Sequence, residues 1–243
     1  MDLILKYFNY IMKFFILLLF VSLANSLKII SSKAAGLKGF YMLGVSKFIK
    51  ENYDLQNTLF YGASAGSWNS LYLSNNRPND ELFTFIKSLK SKDFENMYQI
   101  ELAMRNEILK KYTENDFSLH HINICVSVFS DFRFKKQIYS GFESLEDVMN
   151  CCMASSHIPY ITNKSCYYKY KNIPSIDGGF YNDPHPIQVI PDLIIESNMW
   201  GSEFDIHDIS NAINIKKLNI QALIEKGYDD ASKNIKTLND VLS

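Results

Sequence analysis

The stretch Thr58-Leu59-Phe60-Tyr61-Gly62-Ala63-Ser64-Ala65-Gly66-Ser67-Trp68-Asn69-Ser70-Leu71-Tyr72-Leu73-Ser74 decides the reading of this chain. Its first four residues are β-branched or aromatic apart from one leucine and predict a short strand, whereas 67–74 predicts a helix. Between them stands Gly-x-Ser-x-Gly. With each specified residue at an average frequency of ~7%, that pentapeptide is expected about 0.08 times by chance in a chain of this length. A nucleophile elbow needs a sharp strand-to-helix turn with small residues on each side, so that a strained serine presents Oγ at the helix N-terminus. Ala63 and Ala65 are as small as those positions allow without more glycine. The alternative is a glycine-punctuated connection with no chemistry.

Working outward, Leu27-Lys28-Ile29-Ile30 reads as a strand, followed by a glycine turn and a helix with Phe40, Leu43, Phe48 and Ile49 at helical spacing. Helical patterns continue over 80–90 and 97–112. A more apolar strand is expected over 121–129, its centre suited to a sheet buried on both faces. A shorter neighbouring strand is expected at 136–139, a helix over Leu145–Ser155, strands at Ile173–Ile176 and 192–195, and a closing helix over 215–235. Strands alternating with helices predict a three-layer α/β sandwich.

At 243 residues the chain suits one domain, given about 100–200 residues per domain with single α/β domains running longer. Hydrophobic residues at 47% and charged ones at 21% exclude a disordered or fibrous chain. The net charge of −1, with Lys110-Lys111 and Lys135-Lys136 scattered rather than forming a stripe, removes the electrostatic warrant for nucleic-acid binding. The abundant Phe and Tyr accompany many Asn, Lys and Ile, a set that nucleotide composition bias enriches, and are no more than consistent with an acyl pocket. Glycine is the informative residue: there are 10, where average usage would give roughly 17. They concentrate at Gly36, Gly39 and Gly44, at Gly62 and Gly66, and at Gly178 and Gly179, where the backbone is expected to require them.

Residues 1–26 read as an address rather than as fold. Lys6 and Lys13 precede an apolar run from Phe14 to Val21, and small residues follow at Ala24 and Ser26, the layout of a secretory signal cleaved after Ser26. Counting apolar residues from Leu3 makes a signal anchor the alternative. The domain is therefore expected over 27–243, in a secreted or membrane-associated protein. Cys151 and Cys152 are adjacent and Cys125 lies in an apolar run, so buried free thiols are expected. Asn163-Lys164-Ser165 is a weak glycosylation sequon.

Two further glycine clusters complete the chemistry. Ala34-Ala35-Gly36-Leu37-Lys38-Gly39 follows a strand and opens a helix, so its backbone N–H groups can converge on an anion. The phosphate-loop pattern is absent, and the dinucleotide pattern is broken at Ala34. Asp177-Gly178-Gly179 ends a strand and reads either as a turn or as a base for Ser64.

In this order the three motifs resemble the patatin-like phospholipase family, over nearly all of 27–235. Ala154-Ser155-Ser156-His157-Ile158-Pro159 is similar to the segment preceding the catalytic Asp in its animal-type branch, and Gly227-Tyr228-Asp229-Asp230-Ala231 to that branch's closing helix. The resemblance implies a three-layer α/β/α patatin-like fold with a mainly parallel central sheet. It further implies an esterase acting on lipid acyl esters at a membrane or lipid surface through a Ser64–Asp177 dyad and an acyl-enzyme, with no metal or organic cofactor. Ala35 and Gly36 then become oxyanion donors, Lys38 holds the position of the family's basic residue, and Gly39, Gly62, Gly66, Gly178 and Gly179 support the motifs. A catalytically impaired lipid-binding protein of the same fold is the alternative. The family commonly has glycine where Ala34 and Ala35 stand, so alanine serves only if neither position needs φ > 0. His185 and His207 follow Asp177 in the chain and would complete a triad of the α/β-hydrolase order, an alternative to the dyad.

Overall fold

A computed structural model describes residues 27–201 and 215–243; the expected signal or anchor segment and His207 lie outside them. Strand β1 (Lys28–Ser32) pairs in parallel with β2 (Thr58–Ala63), from Lys28 opposite Thr58 to Ser32 opposite Gly62, across helix α1 (Gly39–Asn52). After β2 come α2 (Ala65–Leu73), α3 (Glu81–Ser88) and α4 (Met97–Lys111), then β3 (Ile122–Ser130), parallel to β2. Antiparallel β4 (Arg133–Tyr139) is followed by α5 (Leu145–Ser155), β5 (Tyr168–Tyr170), β6 (Ile173–Ile176) and β7 (Leu193–Ile195). Helices α6 (Ile220–Lys233) and α7 (Ile235–Leu242) close the chain.

The sheet order is β5-β6-β3-β2-β1-β7, with β4 on β3. Strands β7, β1, β2 and β3 run parallel, with β7 at one edge, and the sheet is flanked by helices, as expected for the fold. β2 and β3 carry near-continuous burial, which is why they read as apolar runs. The side chains of Asp80, Asn96, Ser144 and Asn219 each cap the N-terminus of a helix. Burial follows two clusters. One joins β3 to α2, α3, α4 and α5, and the other joins β1, β2 and β7 to α1 and α7.

Several boundaries differ from the sequence reading, each for a physical reason. β4 begins at Arg133 rather than at 136, because a two-residue turn lets charged Arg133 pair with Ser130 on a half-exposed strand. β5 has no counterpart in the sequence pattern, since three residues carry no readable alternation. The closing helix starts only after the Asn219 cap and breaks at Asn234. Its Gly227 meets α1: a Cβ there would lie 1.9 Å from the carbonyl oxygen of Tyr41, and one on Gly44 would lie 2.0 Å from that of Ile224. The two glycines let the helix backbones touch. All four cysteines are free, Cys125, Cys151 and Cys152 buried and Cys166 exposed. No helix among the described residues is long and apolar enough to cross a membrane.

Candidate active site

Ser64 stands between the end of β2 and the start of α2 with φ 53° and ψ −126°, a conformation L-residues rarely adopt. Such backbone costs of order 1–3 kcal/mol and persists where its surroundings over-determine it. Here they do. The Ser64 N–H donates to Ser155 Oγ at 2.8 Å, and that hydroxyl donates to the Cys125 carbonyl at 2.7 Å. The Ser64 carbonyl accepts from both the N–H and the hydroxyl of Ser67, at 2.9 and 2.6 Å. Gly62 and Gly66 are forced: a Cβ on Gly66 would lie 2.0 Å from the Ser32 carbonyl oxygen, and one on Gly62 would lie 2.4 Å from that of Gly66.

Topology brings Asp177 to this serine. Strand β4 occupies one edge of β3 over Ile124 to Ser130, so β2 and β6 must share the other edge. β2 runs up that edge until Ala63 faces Cys125; β6 runs down it, antiparallel, until Ile176 faces Ser127. The two strands meet nearly end to end beside Val126. Ser64 and Asp177 are the first residues beyond them. The Asp177 N–H donates to the His157 carbonyl at 2.8 Å, its carbonyl accepts from Ser127 Oγ at 2.7 Å, and its Oδ1 accepts from the Gly179 N–H at 2.6 Å.

Burial pushes the Asp177 carboxyl up to about 6; the adjacent Ser64 hydroxyl and the Gly179 N–H limit that rise by favouring the ionised form. Oδ2 is buried and has no partner of standard hydrogen-bond geometry among the described residues, so the approach of the Ser64 hydroxyl is a loose one. Contacts of this kind tighten when substrate arrives.

The loop 34–39 closes the third side. Gly36 has φ 53°, whereas Ala35 has φ −148° and Ala34 is not among the residues with positive φ. The two alanines therefore occupy positions that tolerate a side chain. No acceptor among the described residues takes the N–H groups of Ala35 or Gly36. The loop touches both other motifs: a Cβ on Gly39 would lie 2.5 Å from Ala65 Cβ, and one on Gly179 2.5 Å from Ala34 Cβ. Ala34, Ala35, Gly36, Lys38, Ser64, Asp177 and Gly179 line one cleft together with Ile158, Phe180 and Ser197. Against this cleft, a family model of patatin-like phospholipases matches residues 32–190, a span holding all three motifs. The chain belongs to the patatin-like phospholipase family. Its members are lipid acyl hydrolases as a class. A search of curated proteins finds no match.

The patatin-like cleft opens at Ser64 and Gly36 into a second, apolar cavity of about 70 Å³. Leu37, Phe40, Leu43, Trp68, Ile86, Met97, Ile100 and Met104 line it. So does Glu101, which sequence reading missed. This carboxyl is only 6% exposed. Burial raises its pKa to about 8, with the nearby Asp177 charge adding to the rise, while Ser156 and Trp68 oppose it. Its Oε2 has no partner of standard hydrogen-bond geometry among the described residues. The signal was available: Met97, Ile100, Met104 and Ile108 mark the buried stripe of α4, and Glu101 falls on that stripe.

The segment 154–159, which the sequence marks only as a resemblance, holds the turns of both Ser64 and Asp177, because Ser155 accepts from the Ser64 N–H and the His157 carbonyl accepts from the Asp177 N–H. His185 is buried, but its Nδ1 lies 2.8 Å from Ser31 Oγ and its ring packs edge-on to Tyr61, away from the lining of the cleft. Its place is against β1, so the triad through His185 is not formed. Lys38 lines the cleft with 9% of its surface exposed. Among the described residues no group of three or more His, Cys, Asp or Glu is placed to hold a metal ion.

Proposed function

We propose that this protein is a serine acyl hydrolase that cleaves fatty-acyl ester bonds of lipids through a Ser64–Asp177 dyad. The observation that carries the reading is the end-to-end meeting of β2 and β6, which sets a strained serine and a buried aspartate with an unpartnered oxygen at one spot. Ser64 Oγ attacks the ester carbonyl while Asp177 takes its proton. A carboxyl with a pKa of about 6 is a far better base near neutral pH than an ordinary aspartate. The N–H groups of Ala35 and Gly36, with the positive end of α2 at Ser64, stabilise the oxyanion. The apolar cavity takes the start of the acyl chain. Protonated Asp177 then returns its proton to the leaving alcohol, and water, activated by Asp177, hydrolyses the acyl-enzyme. Every group in this scheme comes from the protein or from solvent, so a chelator leaves the rate unchanged.

The test is a fluorophosphonate probe on the full chain. Covalent labelling that maps to Ser64, lost in Ser64→Ala and together with lipid ester hydrolysis, supports the enzyme. A folded protein that never labels supports the lipid-binding alternative instead. The segments 154–159 and 227–231 favour the animal-type branch of the family. We further propose that residues 1–26 direct the chain into the secretory pathway as a cleaved signal or an anchor; fusing them to a reporter and sequencing its N-terminus decides between the two.

A further inference from the structure

Three phenylalanines run ring to ring from behind the tip of a hairpin to the mouth of the cleft, and a fourth stands exposed at the tip itself. Strands β3 and β4 are joined by Asp131-Phe132 alone, with φ 51° and 60°. A two-residue turn with both residues left-handed favours Asn or Asp followed by Gly. Here the second residue is a phenylalanine, 97% exposed. Behind it Phe129 and Phe134 face each other across the strands, ring centroids 5.2 Å apart, each nearly half exposed. Phe134 stacks on Phe180 at 6.1 Å with an 18° interplanar angle, and Phe180 lines the cleft that holds Ser64 and Asp177.

The position of the hairpin is set by the sheet. β2 ends opposite Cys125, and β3 continues through 126–130 before turning. At ~3.4 Å per residue the tip stands roughly 17 Å beyond the end of β2, on the same end of the sheet as the cleft. Charge completes the picture. From Phe129 to Tyr139 the only acid is Asp131, paired with Lys135, whereas Arg133, Lys135 and Lys136 are basic. An exposed aromatic tip above a cationic strand suits a surface that is apolar inside and negative at its headgroups.

We propose that the β3–β4 hairpin docks this protein on an anionic phospholipid bilayer, Phe132 entering the acyl region and the line Phe129, Phe134, Phe180 joining that surface to the cleft. The docking stands on the hairpin alone; the delivery of an acyl ester to Ser64 rests on the function proposed above. The full chain bearing Phe132→Trp tests the docking, its emission read against the native Trp68 and Trp200. With vesicles of brominated phosphatidylcholine and phosphatidylserine, the new indole shifts to the blue and is quenched; with brominated phosphatidylcholine alone it is quenched much less. An indole that keeps its aqueous emission in both overturns the docking, and equal quenching in both overturns the role of the charge. Phe132→Asp lowers hydrolysis of phosphatidylserine-containing vesicles about ten- to a hundredfold, with an unchanged unfolding midpoint. Insertion without any hydrolysis refutes the acyl hydrolase and leaves the docking standing; full hydrolysis by Phe132→Asp refutes the docking and leaves the hydrolase standing.

Discussion

Replacing Asp177 with Asn should change the pH dependence of stability in a calculable way. The Asp177 carboxyl has a pKa of about 6 in the folded protein against an ordinary 3.8. At 1.36 kcal/mol per pH unit, this difference makes ionised Asp177 oppose folding by about 3 kcal/mol. The sign follows from linkage: the fold favours the neutral acid, so the cost is absent below about pH 3.8, grows as pH rises to about 6, and is complete above that. Asn carries no charge at any pH. It keeps an oxygen for the Gly179 N–H and puts an amide nitrogen at the site of the unpartnered Oδ2. Any penalty for that nitrogen, roughly 1–3 kcal/mol, applies at every pH and cancels from the comparison. Urea unfolding of both proteins, extrapolated to water, should therefore show Asp177→Asn gaining about 2 kcal/mol on the native chain between about pH 4 and pH 7. Stopping at about pH 7 keeps Glu101, with its pKa of about 8, out of the comparison. Parallel stability curves, or a gain in the opposite direction, would refute the claim that this site holds its base in a destabilising environment.

The same groups shape the rate. On a soluble ester, kcat/KM should rise as pH passes about 6, where Asp177 ionises, and fall above about 8, where Glu101 places a charge in the acyl cavity; Glu101→Gln should abolish only the alkaline limb. Ser155→Ala removes the acceptor of the Ser64 N–H, and stranding that donor at roughly 1–3 kcal/mol should lower kcat about ten- to a hundredfold with KM little changed. Gly227→Val forces a side chain onto the Tyr41 carbonyl and should cost about 3 kcal/mol, read as a fall in the thermal midpoint. A thiol reagent should titrate Cys166 alone in the native protein and all four cysteines in denaturant.

What the amino-acid order determined by itself is local. The strand, Gly-x-Ser-x-Gly turn and helix are contiguous, and the small residues an elbow requires are written at adjacent positions. The apolar runs of β2 and β3 declare a buried sheet in the same way. Gly44 and Gly227 could each be placed on a helix, but only packing shows that they face one another, because a close approach needs both partners. Tertiary structure decided the rest. Asp177 is 113 residues from Ser64 along the chain and reaches it because two strands running in opposite directions share one edge of β3. The raised pKa of Asp177 and that of Glu101 come chiefly from burial, which belongs to the assembled cleft and not to the residues beside them in the chain. Positive φ at Gly36 rather than at the two preceding alanines is likewise a property of how the loop lies against Asp177-Gly178-Gly179, and it leaves the alanines room to stay.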